Sequence, residues 1–211
     1  MKHALTMALV LTLCACSSAY YGAMEKVGVH KREILVDRIG DARESQQEAK
    51  EQFQSALERF RSVVSFDGGD LEDLYDDLSA EFERSEARAE AVSERIDEVQ
   101  DVATALFDEW EDELDEYSNR ELRRSSAASL AETRRRYERL IRAMRRAESR
   151  LDPVLDTFRD QVLYLKHNLN ARAVAALKTE LAGIENGVDR LIVDMNRAIA
   201  EAEAFISSME S

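Results

Sequence analysis

Residues 71–110 read LEDLYDDLSAEFERSEARAEAVSERIDEVQDVATALFDEW. Alternating strides of four and three from Leu71 visit Leu71, Tyr75, Leu78, Phe82, Ser85, Ala89, Val92, Ile96, Val99, Ala103, Leu106 and Trp110, and eleven of these twelve are apolar. A chain that is 45% hydrophobic would place about five there by chance. A 3.5-residue repeat keeps one side of a helix turned toward a partner, so the stretch predicts a long helix packed along another. From Leu71 to about Tyr117, at 1.5 Å per residue, it would be roughly 70 Å long.

The same strides find three more seams. The first runs Leu35, Ile39, Ala42, Gln46, Ala49, Phe53, Ala56, Phe60, Val63. The third runs Leu130, Arg134, Tyr137, Ile141, Met144, Glu148, Leu151, Leu155, Phe158, Val162, Leu165, Leu169. The fourth, from Val174 through Leu177, Leu181, Ile184, Val188, Leu191, Met195, Ala198, Ala202 and Phe205 to Met209, has no polar member. Turn signals fall where the phase slips. Gly68 and Gly69 reverse the chain and Asp70 caps the second helix. Ser118 and Glu121 have capping-box spacing before the third helix, and Ser129 and Glu132 offer a second box. Asn168 and Asn170 bracket the entry to the fourth. Asp152-Pro153 either opens a fifth helix or kinks one long third helix, and the unbroken register from Leu151 to Leu155 favours the kink. The expected fold is all-α: an elongated antiparallel coiled-coil bundle of about four long helices.

Charge sorts by helix. Residues 67–116 hold 21 acids and three Arg, whereas residues 118–150 hold 11 Arg and four acids. An acidic and a basic helix joined by a short turn would lie antiparallel with complementary flanks, each exposed pair worth a few tenths of a kcal/mol. That intramolecular role accounts for the Arg run. The alternative is that Arg134, Arg135, Arg136, Arg142, Arg145 and Arg146 bind an anionic envelope ligand: a lipid headgroup, lipopolysaccharide or cell-wall polymer. Charges on a seam are costly alone and tolerable when paired. Folding the chain back about Ser118 sets Arg88 against Glu148, and Arg134 near Asp101, so Arg88 and Glu148 are the expected structural pair.

The chain has two cysteines, Cys14 and Cys16, behind Met1-Lys2-His3 and a twelve-residue greasy run from Ala4 to Ala15. This is a charged n-region and an h-region of signal-peptide length, shorter than the about 20 residues a membrane span needs. Leu13-Cys14-Ala15-Cys16 resembles the bacterial lipobox, which implies cleavage before Cys16 and a diacylglycerol on its sulfur; the alternative is ordinary cleavage after Ser17-Ser18-Ala19, which leaves both cysteines in the discarded peptide. Ser17, rather than Asp, behind that cysteine implies sorting to the outer membrane, periplasmic face. The organisation read from this is residues 1–15 as lipoprotein signal peptide, 16–28 as lipidated N-terminus and tether, and 29–211 as the helical bundle. Without residues 1–15 the chain carries 28 Lys and Arg against 43 acids. Such an acidic protein is repelled by nucleic acid, which is excluded as a general partner.

Chemistry-bearing motifs are sparse. Beyond residue 15 the histidines are His30 and His167. No Glu-x-x-His, phosphate-cradling glycine loop, metal-binding cysteine cluster or nucleophile elbow is present. The reading is therefore a non-enzymatic protein with no catalytic residue, no metal and no cofactor beyond the lipid on Cys16. The stretch LYLKHNLNARA, residues 163–173, reads as a capped turn with His167 on the surface. With the lipobox, the heptad helices and YSNRELRRSS, it resembles an uncharacterised family of bacterial envelope lipoproteins, a domain of unknown function. That resemblance supplies no activity, substrate or catalytic residue; the anchor and the long heptad helices themselves point to a lipid-anchored scaffold, spacer or adaptor whose partners are the membrane, through the anchor, and envelope proteins or further copies, through the coiled coil.

Overall fold

The computed structural model describes residues 30–66, 68 and 70–210, the side chain of Ala171 excepted. Five helices follow one another: α1 (Lys31–Val64), α2 (Leu71–Glu113), α3 (Arg120–Glu148), α4 (Leu151–Lys166) and α5 (Ala171–Glu210), with a 3-10 turn at Leu114–Glu116. Among the described residues there is no strand. The helices form four columns, because α3 and α4 follow each other along the same two neighbours. α1 packs on α2 and α5, while α3 and α4 each pack on α2 and on α5. Cross-helix bonds give the directions. Lys31 reaches Glu109 at one end of the α1–α2 pair and Arg59 reaches Asp77 at the other. Lys50 donates to Asn196, and Arg61 pairs with Glu185, so α1 and α5 are also antiparallel. The fold is an all-α, up-down-up-down helical bundle. At 1.5 Å per residue the 43 residues of α2 span about 65 Å.

Local chemistry places the ends. Asp70 Oδ1 accepts from the Glu72 amide at 2.9 Å, and Gly68 takes the positive φ of 143° that the preceding reversal needs. Asn170 Oδ1 accepts from the amides of Arg172 and Ala173 to open α5, and Asn168 Nδ2 donates to the Tyr164 carbonyl to close α4. His167 is exposed. The third helix starts differently from expectation. Its cap is Asn119, whose Oδ1 accepts from Glu121 and Leu122, and neither Ser118 nor Ser129 opens it.

Pro153 interrupts the third column instead of bending one helix. A helical residue 153 would donate its amide to the Ser149 carbonyl, and proline has no such donor while its ring crowds that carbonyl. The break falls at Ser149 and Arg150, four and three residues upstream. It is slight: both residues stay in right-handed helical dihedrals, and Arg150 N donates three residues back to Ala147 at 3.0 Å. Asp152 is the second residue of α4 and not its cap.

Burial follows the seams on three columns. Every member of the first seam is buried, as are ten of the twelve in the second and all but Leu181 in the fourth. The third seam is offset in α3, where Leu140, Ala143, Met144 and Ala147 fill the core and Arg134, Tyr137, Ile141 and Glu148 are half-buried. A helix wedged between α2 and α5 needs a stripe wider than one seam, and the seam legible in the sequence is its α2-facing flank. One defect sits in the core. Gln46 is 0% exposed, and its amide nitrogen and oxygen, like the Ser45 hydroxyl, have no hydrogen-bond partner among the described residues.

The expected register between the second and third columns is corrected. Reflection about Ser118 would set Arg145 against Ala91 and Arg134 against Val102, whereas Arg145 bonds Asp97 and Arg134 bonds Glu111 at 2.6 Å. Counting from the turn fails because α3 does not enter the core until Leu130; its first residues, Arg120 to Ser129, include none that is buried. The Arg88–Glu148 pair accordingly does not form. Arg88 bonds Glu48 of α1 at 2.5 Å, and Glu148 bonds Arg145 on its own helix at 2.9 Å. Arg88 lies seven residues past Glu81 and thus on the same α1-facing flank, since Glu81 accepts from Ser55 at 3.0 Å.

Candidate functional site

The six arginines singled out from the sequence are split by the fold into separate roles. Arg134 faces α2, bonding Glu111 and lying 5.1 Å over the Phe107 ring. Its hydrogen bond and charge hold the Glu111 carboxyl below the ordinary range. Arg136 bonds Glu132 one turn back on its own helix. Arg142 is exposed and 3.5 Å from Glu138. Arg135 is exposed, with no salt bridge among the described residues. Arg145 turns to α2 and Arg146 to α5. Three of the six therefore serve the complementarity between columns, and the set is not one continuous patch.

The deepest charge chemistry surrounds the interruption in the third column. An open cleft of about 470 Å³ lies there, lined by Glu86, Glu90 and Ser93 of α2, Arg145 and Glu148 of α3, and Asp152, Leu155 and Arg159 of α4. Arg145 donates to Asp97 and Gln100 and makes two bonds to Glu148, at 3.0 and 2.9 Å. Burial pulls its pKa down, but the hydrogen bonds it donates to Asp97 and Glu148 outweigh this and the net shift is upward. Arg159 bonds Glu86 at 2.9 Å and Asp156 at 2.6 Å while stacking 5.7 Å over Phe82. The bond to Glu86 raises its pKa, against a smaller downward pull of burial. Guanidiniums held this firmly charged do not exchange protons near neutral pH, which is what general acid–base work requires. What the arrangement does is tie α2 to both halves of an interrupted column.

Asp194 does the same from the other side. Only 7% exposed on α5, it accepts from Arg146, three residues before the break, at 2.9 Å and from Arg150, the second residue of the break, at 3.2 Å. A buried carboxylate needs such partners. Sequence reasoning passed over it, although its place one step before the seam residue Met195, opposite an Arg run, was a usable signal. It also missed Glu81, which accepts from Gln52 at 2.5 Å and Ser55 at 3.0 Å and pairs with Arg84 at 2.9 Å. Burial pushes the Glu81 carboxyl up, yet the bonds from Arg84, Gln52 and Ser55 prevail and its pKa is lowered.

Among the described residues no group of three or more His, Cys, Asp or Glu is placed to hold a metal ion, and no helix is long and apolar enough to cross a membrane. Cys16, residues 1–15 and the tether 16–28 lie outside the described residues. Seams, antiparallel columns and charge-tied flanks define an all-α helical-bundle protein. Over residues 20–209 the sequence matches the family described as "Protein of unknown function (DUF2959)", and the chain belongs to that family. No curated protein and no solved structure matches the chain.

Proposed function

We propose that this protein is a non-enzymatic scaffold, spacer or adaptor of the bacterial cell envelope, anchored by a lipid on Cys16 to the periplasmic face of the outer membrane. The observation that carries the reading is reach: columns of 34, 43 and 40 residues packed side by side along their seams. Both arginines that line the cleft are paired with carboxylates of the same lining, Arg145 with Glu148 and Arg159 with Glu86, which supports a structural use for them. The start of α1 lies at the same end of the bundle as the finish of α5, where Arg32 donates to the Met209 carbonyl. Residues 17–28, at most about 40 Å extended, would hold that end near the bilayer and project the α1–α2 and α4–α5 turns away from it.

The test is the cysteine. Cys16→Ala should release the protein from membranes and abolish lipid labelling, while Cys14→Ala leaves both intact, because stable attachment needs more than one acyl chain on the same N-terminus. A mature N-terminus beginning at Tyr20 without lipid would refute the anchor. Crosslinking from intact cells, followed by affinity purification, then identifies what the rod touches.

A further inference from the structure

Two outward edges of the bundle match each other in spacing and oppose each other in charge. On α2, strides of four and three from Glu83 to Asp108 visit eight exposed positions, six of them Glu83, Glu90, Glu94, Asp97, Asp101 and Asp108. Of these six only Asp97 makes a salt bridge among the described residues, to Arg145. On α5 the same strides from Thr179 to Ala204 visit eight exposed positions without a single acid, and the centre of that edge reads Arg190, Val193, Arg197, Ala200. Neither arginine has an ion pair among the described residues, and Val193, 66% exposed, is the most exposed large apolar side chain of those residues. Each edge is about 38 Å long.

The pattern is that of a helix–helix seam with one side absent. Small residues such as Gly183, Ala200 and Ala204 let a second helix come close, the exposed valine is an apolar knob, and flanking cations select an acidic partner. An acidic helix with the same stride is present in every copy of this chain. We propose that the α5 edge of one copy docks on the α2 edge of the next. Since α1 and the α3–α4 column each lie between α2 and α5, those two helices stand at diagonal corners of the bundle. The contact is therefore heterologous, and copies add in a row instead of closing as a pair. This inference rests on the scaffold reading and gives that scaffold its partner.

The experiment uses the full chain in intact cells, carrying Glu94→Cys and Val193→Cys together, under mild oxidation. A ladder of dimers, trimers and larger species is expected, absent from the parent chain; diagonal placement forbids the two new thiols from closing within one molecule. Adding Arg190→Glu and Arg197→Glu should abolish the ladder, and adding Glu90→Lys and Asp101→Lys to that variant should restore it; all four are exposed, and thermal melts of each variant confirm the fold. In detergent solution the association should weaken about tenfold or more between roughly 0.05 and roughly 0.5 M salt. No ladder, a ladder indifferent to charge reversal, or a monomer whose α5 arginines instead retain anionic phospholipid vesicles overturns the proposal. A chain that fractionates with membranes yet gives no ladder refutes self-association and leaves the anchored scaffold standing; one that ladders but is released from membranes does the reverse.

Discussion

α2 and the α3–α4 column lie side by side with seams of the same kind, yet α2 runs 43 residues without a break and its neighbour stops at Ser149 and Arg150. Both sides of the break nonetheless stay in register, with Ala147, Leu151 and Val154 all buried. The difference teaches that continuity of burial, not continuity of backbone hydrogen bonding, keeps a column in place. Proline removes a single donor, whereas the column is gripped by Asp97, Glu86 and Asp194 from two neighbours. Those ties sit where the backbone is weakest.

The comparison breaks most severely at Phe158. That ring is 1% exposed and meets Phe60 edge-on, with centroids 6.0 Å apart, pinning the interrupted side to α1. Phe158→Ala should cost about 3–5 kcal/mol in urea unfolding, and hydrogen exchange should show α4 losing protection before α2. Equal loss in both columns would mean that the interruption has no effect on cooperativity.

On the uninterrupted side the corresponding weak point is Glu81. Glu81→Ala removes a carboxylate that ties α1 to α2 and strips Gln52 and Ser55 of an acceptor, an expected loss of about 1–3 kcal/mol. The pH dependence has a definite sign. With the folded pKa lowered, the Glu81 contribution is fully present above the ordinary carboxyl range and disappears as pH falls through the folded value. Tyr137 on α3 marks the opposite limit. Burial raises its pKa to about 12, so its contribution is intact below the ordinary phenol value of 10.0 and is lost as pH rises toward 12. Acid melts of Glu81→Gln should accordingly be flatter than wild type, and alkaline melts of Tyr137→Phe flatter still at the other end.

A smaller change, of opposite sign, is expected at Gln46. Its buried amide has no partner among the described residues, so Gln46→Leu should stabilise the bundle by about 1 kcal/mol, read as a shift in urea midpoint without a change in slope. Destabilisation would show that the amide makes a bond in solution. Smallest is Pro153→Ala. The proline is exposed, and the new amide can donate to the Ser149 carbonyl, so the effect should stay under about 1 kcal/mol while the amide at 153 becomes protected from exchange. An unprotected amide there would mean that the ties to Arg145, Arg150 and Arg159, and not the proline, hold the break open.

Helix spans, turn sites and most of the core are legible in the residue pattern. Residues 71–110 predict a helix from Leu71 onward, and α2 occupies Leu71–Glu113. Asp70 and Asn170 cap where their side-chain chemistry says they should, because capping is decided within three residues. The third column is less legible. Asn119 competes with Ser118 one residue away, and a stripe shared between two neighbours blurs the seam in α3.

What the sequence determined by itself is the helices of three of the four columns and the face each of them buries, since both follow from interactions reaching no farther than one or two turns. What only the tertiary structure decided is register: that Arg88 meets Glu48, that Arg145 meets Asp97, and that Asp194 is buried between Arg146 and Arg150. The reason is a near-degeneracy. Sliding one heptad helix past another by seven residues presents the same apolar face again, so local pattern alone scarcely distinguishes the two alignments. The choice falls to the overshoot of residues 120–129 beyond the core and to charges that find their partners only once all four columns are assembled.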